Sequence, residues 1–594
     1  MRLHPALTTR DLDPSPRSPR WPGVVGLLAA LSALGLLVSP LWREIKTWAA
    51  WGDCKYFWFV LEVDRVTYLQ HGQFPLWNPY YAGGAPHLAN PQSSSLSPLT
   101  GLILLFGTPL GYRLGYTLGL LTALLAMRAW ARTLGLSSLA SAVAGAGFAV
   151  CGAFAQHMGG GHWSWLGFAL HPLLLRSLHL AFEGRREHVA WGALVFMVLI
   201  FHAPIYPMAF AFVSVPSYAL FLGLASPDRA RGALRAVATA LAMLGLGVAL
   251  GAVRLFPIGE FVRAHPRVVK DWDFTWPHEL LTTYGVRWSQ RAFGAHQYVF
   301  PELGNYFGWI GLGLMVVGLL VVLARRRSLW PLVAGATLCV MFQLGNLIPM
   351  PWWLLKHLPV YKNLRVPSRF TLLAGMFFCA LIGVAVDAGT RGLARGSSPR
   401  RRALGVAVML AAFAYLFDAA SWNRLQFLPT LGLPAPTDPP AAQFRQAPGN
   451  PAYMMLYPRQ NLGSLNYFEE SPLPHSPRLR ADLPADEYLA DPGAGTVRRI
   501  SWAPNAILLD VNLTRPANVL VNQNWGPGWH AYGGELIDGG DGGLLAARVP
   551  AGRHTVMFRY LPTSFVIGAG VSVAALAVAI GMIVGAWRRR ALAG

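Results

Sequence analysis

The sequence predicts a mainly α-helical, polytopic membrane protein of about twelve transmembrane helices, with a small β-rich extracytoplasmic domain before the last helix. Two observations predict this class. Of the 594 residues, 54% are hydrophobic and only 13% are charged, whereas soluble domains carry about 25% charged residues. Apolar runs close to or above the roughly 18 residues needed to cross a bilayer also recur along the chain.

The apolar runs divide the chain into four predicted parts. These are a disordered cytoplasmic tail at 1–22, a transmembrane domain at 23–420 with its first outer loop at 43–108, a β-rich outer domain at 421–562, and a last span with a basic tail at 563–594. The predicted spans are 23–42, 109–131, 138–156, 164–182, 189–205, 207–224, 235–256, 305–323, 329–348, 370–387, 403–420 and 563–586.

The net charge of +22 does not indicate a nucleic-acid partner, because many Arg residues stand at the ends of apolar runs. Their alternation along twelve spans predicts that both termini are cytoplasmic and that the large loops lie outside. The spacing of the four Cys residues matches no metal site and implies no disulfide framework. The Arg clusters are Arg128/Arg132, Arg185/Arg186, Arg229/Arg231/Arg235, Arg325–Arg327, Arg391/Arg395/Arg400–Arg402 and Arg588–Arg590.

Segment 421–562 has a composition unlike the rest of the chain. It is rich in Pro, Gly, Asn and Asp, and its later part alternates between apolar and polar residues in short runs that turn residues separate. This pattern predicts a sandwich-like domain of five to eight strands, tethered to the membrane by the last span.

The first outer loop contains the carboxylate that we single out, Asp53. A carboxylate just outside a span can act as a general base on an acceptor hydroxyl, or can hold a divalent cation such as Mg²⁺ or Mn²⁺. The alternative role is to cap a helix. We expect residues 54–70 to form an interfacial amphipathic helix with Glu62 and Asp64 on its solvated face, followed by a fixed irregular loop after Phe74.

Three further outer stretches carry candidate residues. His157 and His162 could bind a metal or phosphate, or could simply line a cavity through hydrogen bonds. Glu260 could face a substrate, although an ion pair with Arg263 is the simpler expectation. Arg365 and Arg369 could clamp a phosphate or could reach to lipid phosphates. All five Lys residues, Lys55 among them, fall in predicted outer segments, which fits either interfacial snorkelling or a phosphate-bearing substrate.

In their order along the chain, these stretches resemble the YfhO-like family of bacterial membrane proteins. The resemblance covers nearly the whole chain and depends on the ordered combination. The matching pieces are Gly52-Asp53, Gly72–Pro79, Gly83–Pro86 with Ala89–Ser93, His157 with His162, Pro257 with Glu260, Tyr306–Leu312, Leu364–Phe370, Pro527–Ala531, Val549–Val556 and Tyr560–Pro562.

The resemblance implies a GT-C-like glycosyltransferase in the bacterial inner membrane. Such enzymes face outward, use polyprenyl-phosphate-linked sugars as donors, and carry an acidic residue in the first outer loop, where Asp53 stands. The acceptor would be a cell-envelope glycan or lipid. This sequence departs from the pattern in lacking an Asp-x-Asp or Asp-Glu pair in that loop.

Together these observations predict transfer of a sugar to an envelope acceptor. Asp53 would be the base or would orient the acceptor, and Arg365 and Arg369, with Lys55, would bind the lipid phosphate. Two alternatives are a transporter or flippase for a lipid-linked sugar, and a non-catalytic scaffold that binds envelope partners. The predicted contacts to the sugar come from Trp77, Asn78, His87, Asn90 and Gln92.

Overall fold

The structure is a computed structural model that describes residues 21–43, 53–202, 204–267, 274–287, 302–395, 398–430, 440–467 and 473–592. The predicted tail lies outside the described residues except for its last two positions. Most of the described chain is helical, and the strands are concentrated before the last helix. The helices are α1 (Trp21–Arg43), α2 (Cys54–Leu69), α3 (Thr100–Phe106), α4 (Thr108–Thr133), α5 (Ser138–Ala149), α6 (Gly152–Gly159), α7 (His171–Phe182), α8 (Glu187–His202), α9 (Tyr206–Leu224), α10 (Arg229–Leu250), α11 (Ala252–Ala264), α12 (Pro277–Gly285), α13 (Gly308–Arg325), α14 (Trp330–Gln343), α15 (Pro349–Lys356), α16 (Thr371–Arg395), α17 (Pro399–Asn423), α18 (Tyr457–Gln460) and α19 (Thr563–Ala591).

Nine helices of the described chain are long and apolar enough to cross a membrane, so the protein is a multi-pass membrane protein. The predicted count of twelve is not confirmed. Predicted span 164–182 begins as a 3-10 helix, Trp163–Leu170, and becomes α-helical at His171, just before Pro172. The other two predicted spans that are not among the nine, 189–205 and 329–348, correspond to short helices: α8 has 16 residues and α14 has 14.

The strands form the predicted β-rich region and two smaller two-stranded pairs. They are β1 (Trp77–Asn78), β2 (Ala85–Pro86), β3 (Arg445–Ala447), β4 (Leu462–Ser464), β5 (Glu487–Leu489), β6 (Gly495–Ala503), β7 (Ala506–Leu513), β8 (Ala517–Asn524), β9 (Trp529–Tyr532), β10 (Glu535–Leu536), β11 (Leu544–Val549) and β12 (Gly552–Tyr560). Strands β1 and β2 pair antiparallel in the first outer loop, and β3 and β4 pair in parallel.

Strands β5 to β12 form two antiparallel four-stranded sheets, which we call the β-sandwich. The strand orders are β10-β11-β8-β5 and β6-β7-β12-β9. Alternate residues of β7, Ile507, Leu509 and Val511, are fully buried, and they share one hydrophobic core with Val519 and Val521 of β8. The period-two pattern of the sequence therefore has the expected cause, since one face of each strand is buried.

Helix α2 lies where the sequence predicts a helix, but it is not an interfacial helix. Twelve of its 16 residues are buried, among them Glu62 and Asp64. The expectation that these two carboxylates are solvated is therefore wrong. Glu62 receives two hydrogen bonds from Arg459, at 2.6 and 2.9 Å, so a segment far along the chain covers this face of α2 and neutralises its charge.

The Arg-rich ends of several helices meet on one face of the molecule. The buried carboxylate of Asp387 pairs with Arg326 at 3.1 Å and with Arg391 at 2.9 Å. It also accepts a hydrogen bond from the backbone N–H of Ser137, the N-cap residue of α5. Asp387 thereby joins the ends of α13 and α16 to the start of α5. Helix ends that carry alternating Arg clusters are expected to lie on the same side of the membrane.

Candidate active site

Asp53 stands at the N-cap position of α2, yet its side chain forms no capping hydrogen bond. The carboxylate Oδ2 instead lies 2.9 Å from Nε2 of His162. The Asp53 side chain is 46% exposed, against 17% for His162. The capping role that the sequence left open is therefore wrong for the side chain, and Asp53 is an accessible carboxylate held by a histidine.

The two histidines extend this contact into a chain of three groups. His162 Nδ1 lies 2.7 Å from Nδ1 of His157. With both rings neutral, the pattern that satisfies both contacts has His162 Nε2–H donating to Asp53 and His157 Nδ1–H donating to His162. The His157 ring stacks on Trp165 with centroids 3.3 Å apart and planes 8° apart, which fixes its orientation. We call these groups the Asp53–His162–His157 chain.

The glycines between the two histidines bring this chain together. Gly161 has a φ of +88°, and a Cβ at this position would lie 2.3 Å from the backbone N and Cα of Cys54. Only glycine allows both the left-handed backbone and this approach. Because Cys54 begins α2, the contact places His162 directly beside Asp53.

Arg369 also lies close to the Trp165 ring. Its guanidinium carbon is 5.6 Å from the Trp165 ring centroid and 4.2 Å from that of Tyr206. Its Nε donates to Glu302 at 2.7 Å, and Nη2 contacts the other carboxylate oxygen. Burial acts to raise the pKa of Glu302, but the charge and hydrogen bonds of Arg369 outweigh it and hold that pKa well below its usual range. Arg369 is thus a fixed cation with a carboxylate partner.

The segment before Arg369 is strained. Val366 has a φ of +63°, which a β-branched residue rarely adopts. Two contacts hold the turn that follows. Ser368 Oγ donates to the carbonyl of Glu302 at 3.0 Å, and the Phe370 ring stacks on Phe210 with centroids 3.9 Å apart. Strain of this kind is often found at functional sites, where the surrounding packing maintains it.

Arg365 and Lys55 are both half-buried. The guanidinium of Arg365 makes no hydrogen bond or ion pair with the part of the chain that the structure describes, and its Nε is buried. Lys55 lies in the first turn of α2, two residues after Asp53. A direct phosphate contact for either residue stays a prediction.

The residues predicted to contact the sugar differ in burial: Asn90 and Gln92 are half-buried, whereas Trp77, Asn78 and His87 are buried. Asn90 is half-buried, donates to the Tyr56 hydroxyl of α2 at 2.8 Å, and accepts from the backbone N–H of Gln92. Trp77 is fully buried in the β-sandwich core, beside Trp529 and Tyr560, and its Nε1–H donates to Gln523 at 2.9 Å.

Asn78 and His87 are also buried. Asn78 accepts a hydrogen bond from the backbone N–H of Tyr80. His87 Nε2 lies 2.9 Å from Asp64 Oδ1, which also accepts from Ser95. Through these contacts, Trp77, Asn78 and His87 stabilise the first loop. Their contact with a sugar stays a prediction.

Glu260 does not form the expected ion pair with Arg263. Its Oε2 accepts a hydrogen bond from Ser564 Oγ at the start of α19. The reason is the position of α19, which packs along α11 through Gly568 and Ala252. Within the described chain, Glu260 therefore links these two helices.

Three further residues belong to the site, and none of them was predicted from the sequence. Trp165 stacks on His157, Glu302 neutralises Arg369, and Tyr206 lies under the same guanidinium. Trp165 lies three residues after His162 and could have been proposed from its aromatic character. Glu302 is in no motif, and only the fold brings it to Arg369.

Binding of a divalent cation is one of the predicted roles of Asp53, and it requires further metal-ligating side chains nearby. No group of three or more His, Cys, Asp or Glu side chains that could hold a metal ion occurs in the described ranges. The Nδ1 atoms of the two histidines face each other at 2.7 Å, an arrangement that leaves no room for an ion between them. This donor set does not fit a divalent cation.

No family model matches the chain, and no curated protein matches it. Among solved structures, the chain is similar to the cryo-EM structure of the arabinofuranosyltransferase AftD from mycobacteria, with 19% sequence identity and a TM-score of 0.43. The match covers 70% of this chain and 27% of that chain, so the chain spans about a quarter of the length of AftD.

Proposed function

We propose that this protein is a membrane glycosyltransferase that moves a sugar from a polyprenyl-phosphate-linked donor to a cell-envelope acceptor on the outer face. The observation that carries the proposal is the Asp53–His162–His157 chain. A half-exposed carboxylate held by a histidine, which a second stacked histidine holds in turn, has the geometry of an oriented general base. A packing role would not need a half-exposed carboxylate.

Asp53 would accept the proton of the acceptor hydroxyl. His162 occupies Oδ2, so Oδ1 is the oxygen available for this proton. The acceptor oxygen forms a bond to the anomeric carbon of the sugar as the bond from that carbon to the lipid phosphate oxygen breaks. The electron pair leaves with the polyprenyl phosphate, and the configuration at the anomeric carbon inverts. Hydrogen bonding from His162 would orient the carboxylate during this step.

The departing phosphate gains negative charge and needs positive charge nearby. Arg369 would supply a fixed field, although Glu302 already neutralises part of its charge. Arg365, which has no counter-ion among the described residues, would then be the residue that binds the phosphate directly. This modifies the expectation of a symmetrical clamp by two arginines, since one of them has a carboxylate partner.

The test is sugar transfer by the purified full-length protein in vesicles, with a radiolabelled polyprenyl-phosphate sugar and an envelope extract as acceptor. Asp53→Asn keeps the shape and removes the base, so we expect a loss of roughly 10²–10⁴-fold in rate. The matched control is Asp482→Asn, an exposed aspartate paired with Arg480, which should transfer at the wild-type rate. Equal rates for wild type and Asp53→Asn would refute the role of Asp53. Movement of intact donor across the membrane without transfer would support the transporter instead.

A further inference from the structure

A basic cleft lies among residues that are far along the chain from Asp53. It has a volume of about 770 Å³ and lies between the loop after α7 and the end of α19. This volume falls within the roughly 300–1,000 Å³ of small-molecule sites. Its lining includes Gly184, Arg185, Arg186, Glu187, Arg589 and Arg590.

Four guanidinium groups face one carboxylate in this cleft. Glu187 is mostly buried and pairs with Arg590, which fixes one of the four. Within the described ranges, the guanidinium groups of Arg185, Arg186 and Arg589 form no ion pair within 4 Å and no hydrogen bond, although Arg185 interacts electrostatically with nearby Glu183. The cleft therefore has excess positive charge, and Arg presents several N–H donors that suit phosphate oxygens.

A second, apolar groove continues from the basic cleft. Its volume is about 450 Å³, and it shares Arg186, Glu187 and Arg589 with the cleft before it reaches Val578, Gly581 and Met582 of α19. A Cβ at Gly581 would have no heavy atom within 4 Å, so the groove is open there. It follows a helix that is long and apolar enough to cross the membrane.

From these two connected spaces we propose that the cleft binds an anionic phospholipid of the membrane. The phosphate lies among Arg185, Arg186 and Arg589, and an acyl chain follows the groove past Gly581. A free phosphate compound would use the cations but not the apolar groove. A zwitterionic lipid would use the groove but would bring no net negative charge to the excess of cations.

The experiment is a lipid titration of the detergent-purified full-length protein, followed by native mass spectrometry. Phosphatidylglycerol and phosphatidylcholine with identical acyl chains are compared. We expect phosphatidylglycerol to bind about tenfold or more tightly than phosphatidylcholine. The double variant Arg186→Gln with Arg589→Gln should lose this preference, whereas the control Arg400→Gln with Arg401→Gln, on α17 and outside the cleft, should keep it.

Two further arms separate the possible ligands. Gly581→Leu fills the groove without touching the cations, so it should weaken the binding of both lipids. Inorganic phosphate at millimolar concentration should not displace phosphatidylglycerol from the wild type. The proposal is overturned if the two lipids bind equally, if the Arg double variant keeps the preference, or if phosphate displaces the lipid and Gly581→Leu has no effect.

Discussion

At the residue scale, the Asp53 side chain contacts His162 and forms no capping hydrogen bond. The sequence alone allowed either a capping role or a role in a site. The sequence identified Asp53, His157 and His162 as candidates, each on local grounds. It could not show that Asp53 and His162 are in contact, because 109 positions separate them along the chain. The contact depends on the packing of Gly161 against Cys54, and no periodicity or spacing indicates that packing.

The partners of buried charged side chains are the contacts that the sequence predicted least well. Glu62 and Asp64 are carboxylates that were expected to be solvated, and Glu302 belongs to no motif, yet all three have partners that the fold brings from elsewhere in the chain. Arg254 is a further case. It is fully buried and donates to the carbonyls of Phe201 and Ser93. Such partners are tertiary, so local sequence could not predict them.

One titrating residue in the β-rich region gives a pH-dependence with a definite sign. Burial raises the pKa of Asp486 to about 6 from its ordinary 3.8, although Asn522 and the backbone N–H of Gln446 donate to it. The folded carboxyl therefore keeps its proton at pH values where the unfolded one has lost it. The stability that this proton contributes is present below pH 4 and is lost as the pH rises through 6, up to about 3 kcal/mol.

The measurement is hydrogen exchange of the β5 and β8 amides, corrected for the intrinsic effect of pH on exchange. Protection should fall between pH 4 and pH 7 in the wild type. Asp486→Asn removes the titrating group, so its protection should vary little over this range. A wild-type profile that rises with pH would contradict the assignment.

At the scale of elements, the sequence predicted whether a segment is a helix or a strand better than it predicted the length of that segment. The long apolar helices and the period-two strands lie close to their predicted places, because a continuous apolar run or an alternating pattern reports burial directly. The three predicted spans that are not among the nine long helices are short, or begin as a 3-10 helix before Pro172 of α7. The expected solvated face of α2 is wrong because residues 451–460 cover it.

The loop between α6 and the 3-10 helix at Trp163 supports a prediction with an internal control. Gly161→Ala would place a methyl group 2.3 Å from Cys54 and strain the backbone at a φ of +88°. A shift of about 1 Å in His162 should reduce transfer roughly 10²-fold. Gly160→Ala is the control, because its φ is −76° and its nearest contact is 3.5 Å away. Equal activity of the two variants in the vesicle assay would contradict the role of this loop.

At the scale of the whole molecule, the first outer loop and the β-sandwich form one packed unit. Trp77 fills the sandwich core, its backbone N–H donates to Asn505, and Asn524 donates to the carbonyls of Ala82 and Gly84. The sequence predicted a tethered domain that recognises the acceptor. The observed contacts make the β-sandwich a support for the first outer loop, while recognition of the acceptor stays a prediction.

Removal of the Trp77 side chain measures this coupling. Trp77→Ala leaves a cavity beside Trp529 and an unpaired Gln523, so we expect about 3–5 kcal/mol of destabilisation. The readout is the thermal midpoint of the full-length protein in detergent. Trp587→Ala, whose ring is 70% exposed at the end of α19, should change stability by less than about 0.5 kcal/mol. Equal shifts for both variants would show that the loop and the β-sandwich are not coupled.

The central claim is that Asp53 and His162 act as one unit in sugar transfer, and a double-mutant cycle tests it most directly. Transfer rates are measured for the wild type, Asp53→Asn, His162→Ala and the double variant under identical donor concentrations. If the carboxylate is a base that the histidine orients, each single variant loses most of the activity and the double variant is no slower than Asp53→Asn. Losses that multiply in the double variant, or full activity in Asp53→Asn, would contradict the account.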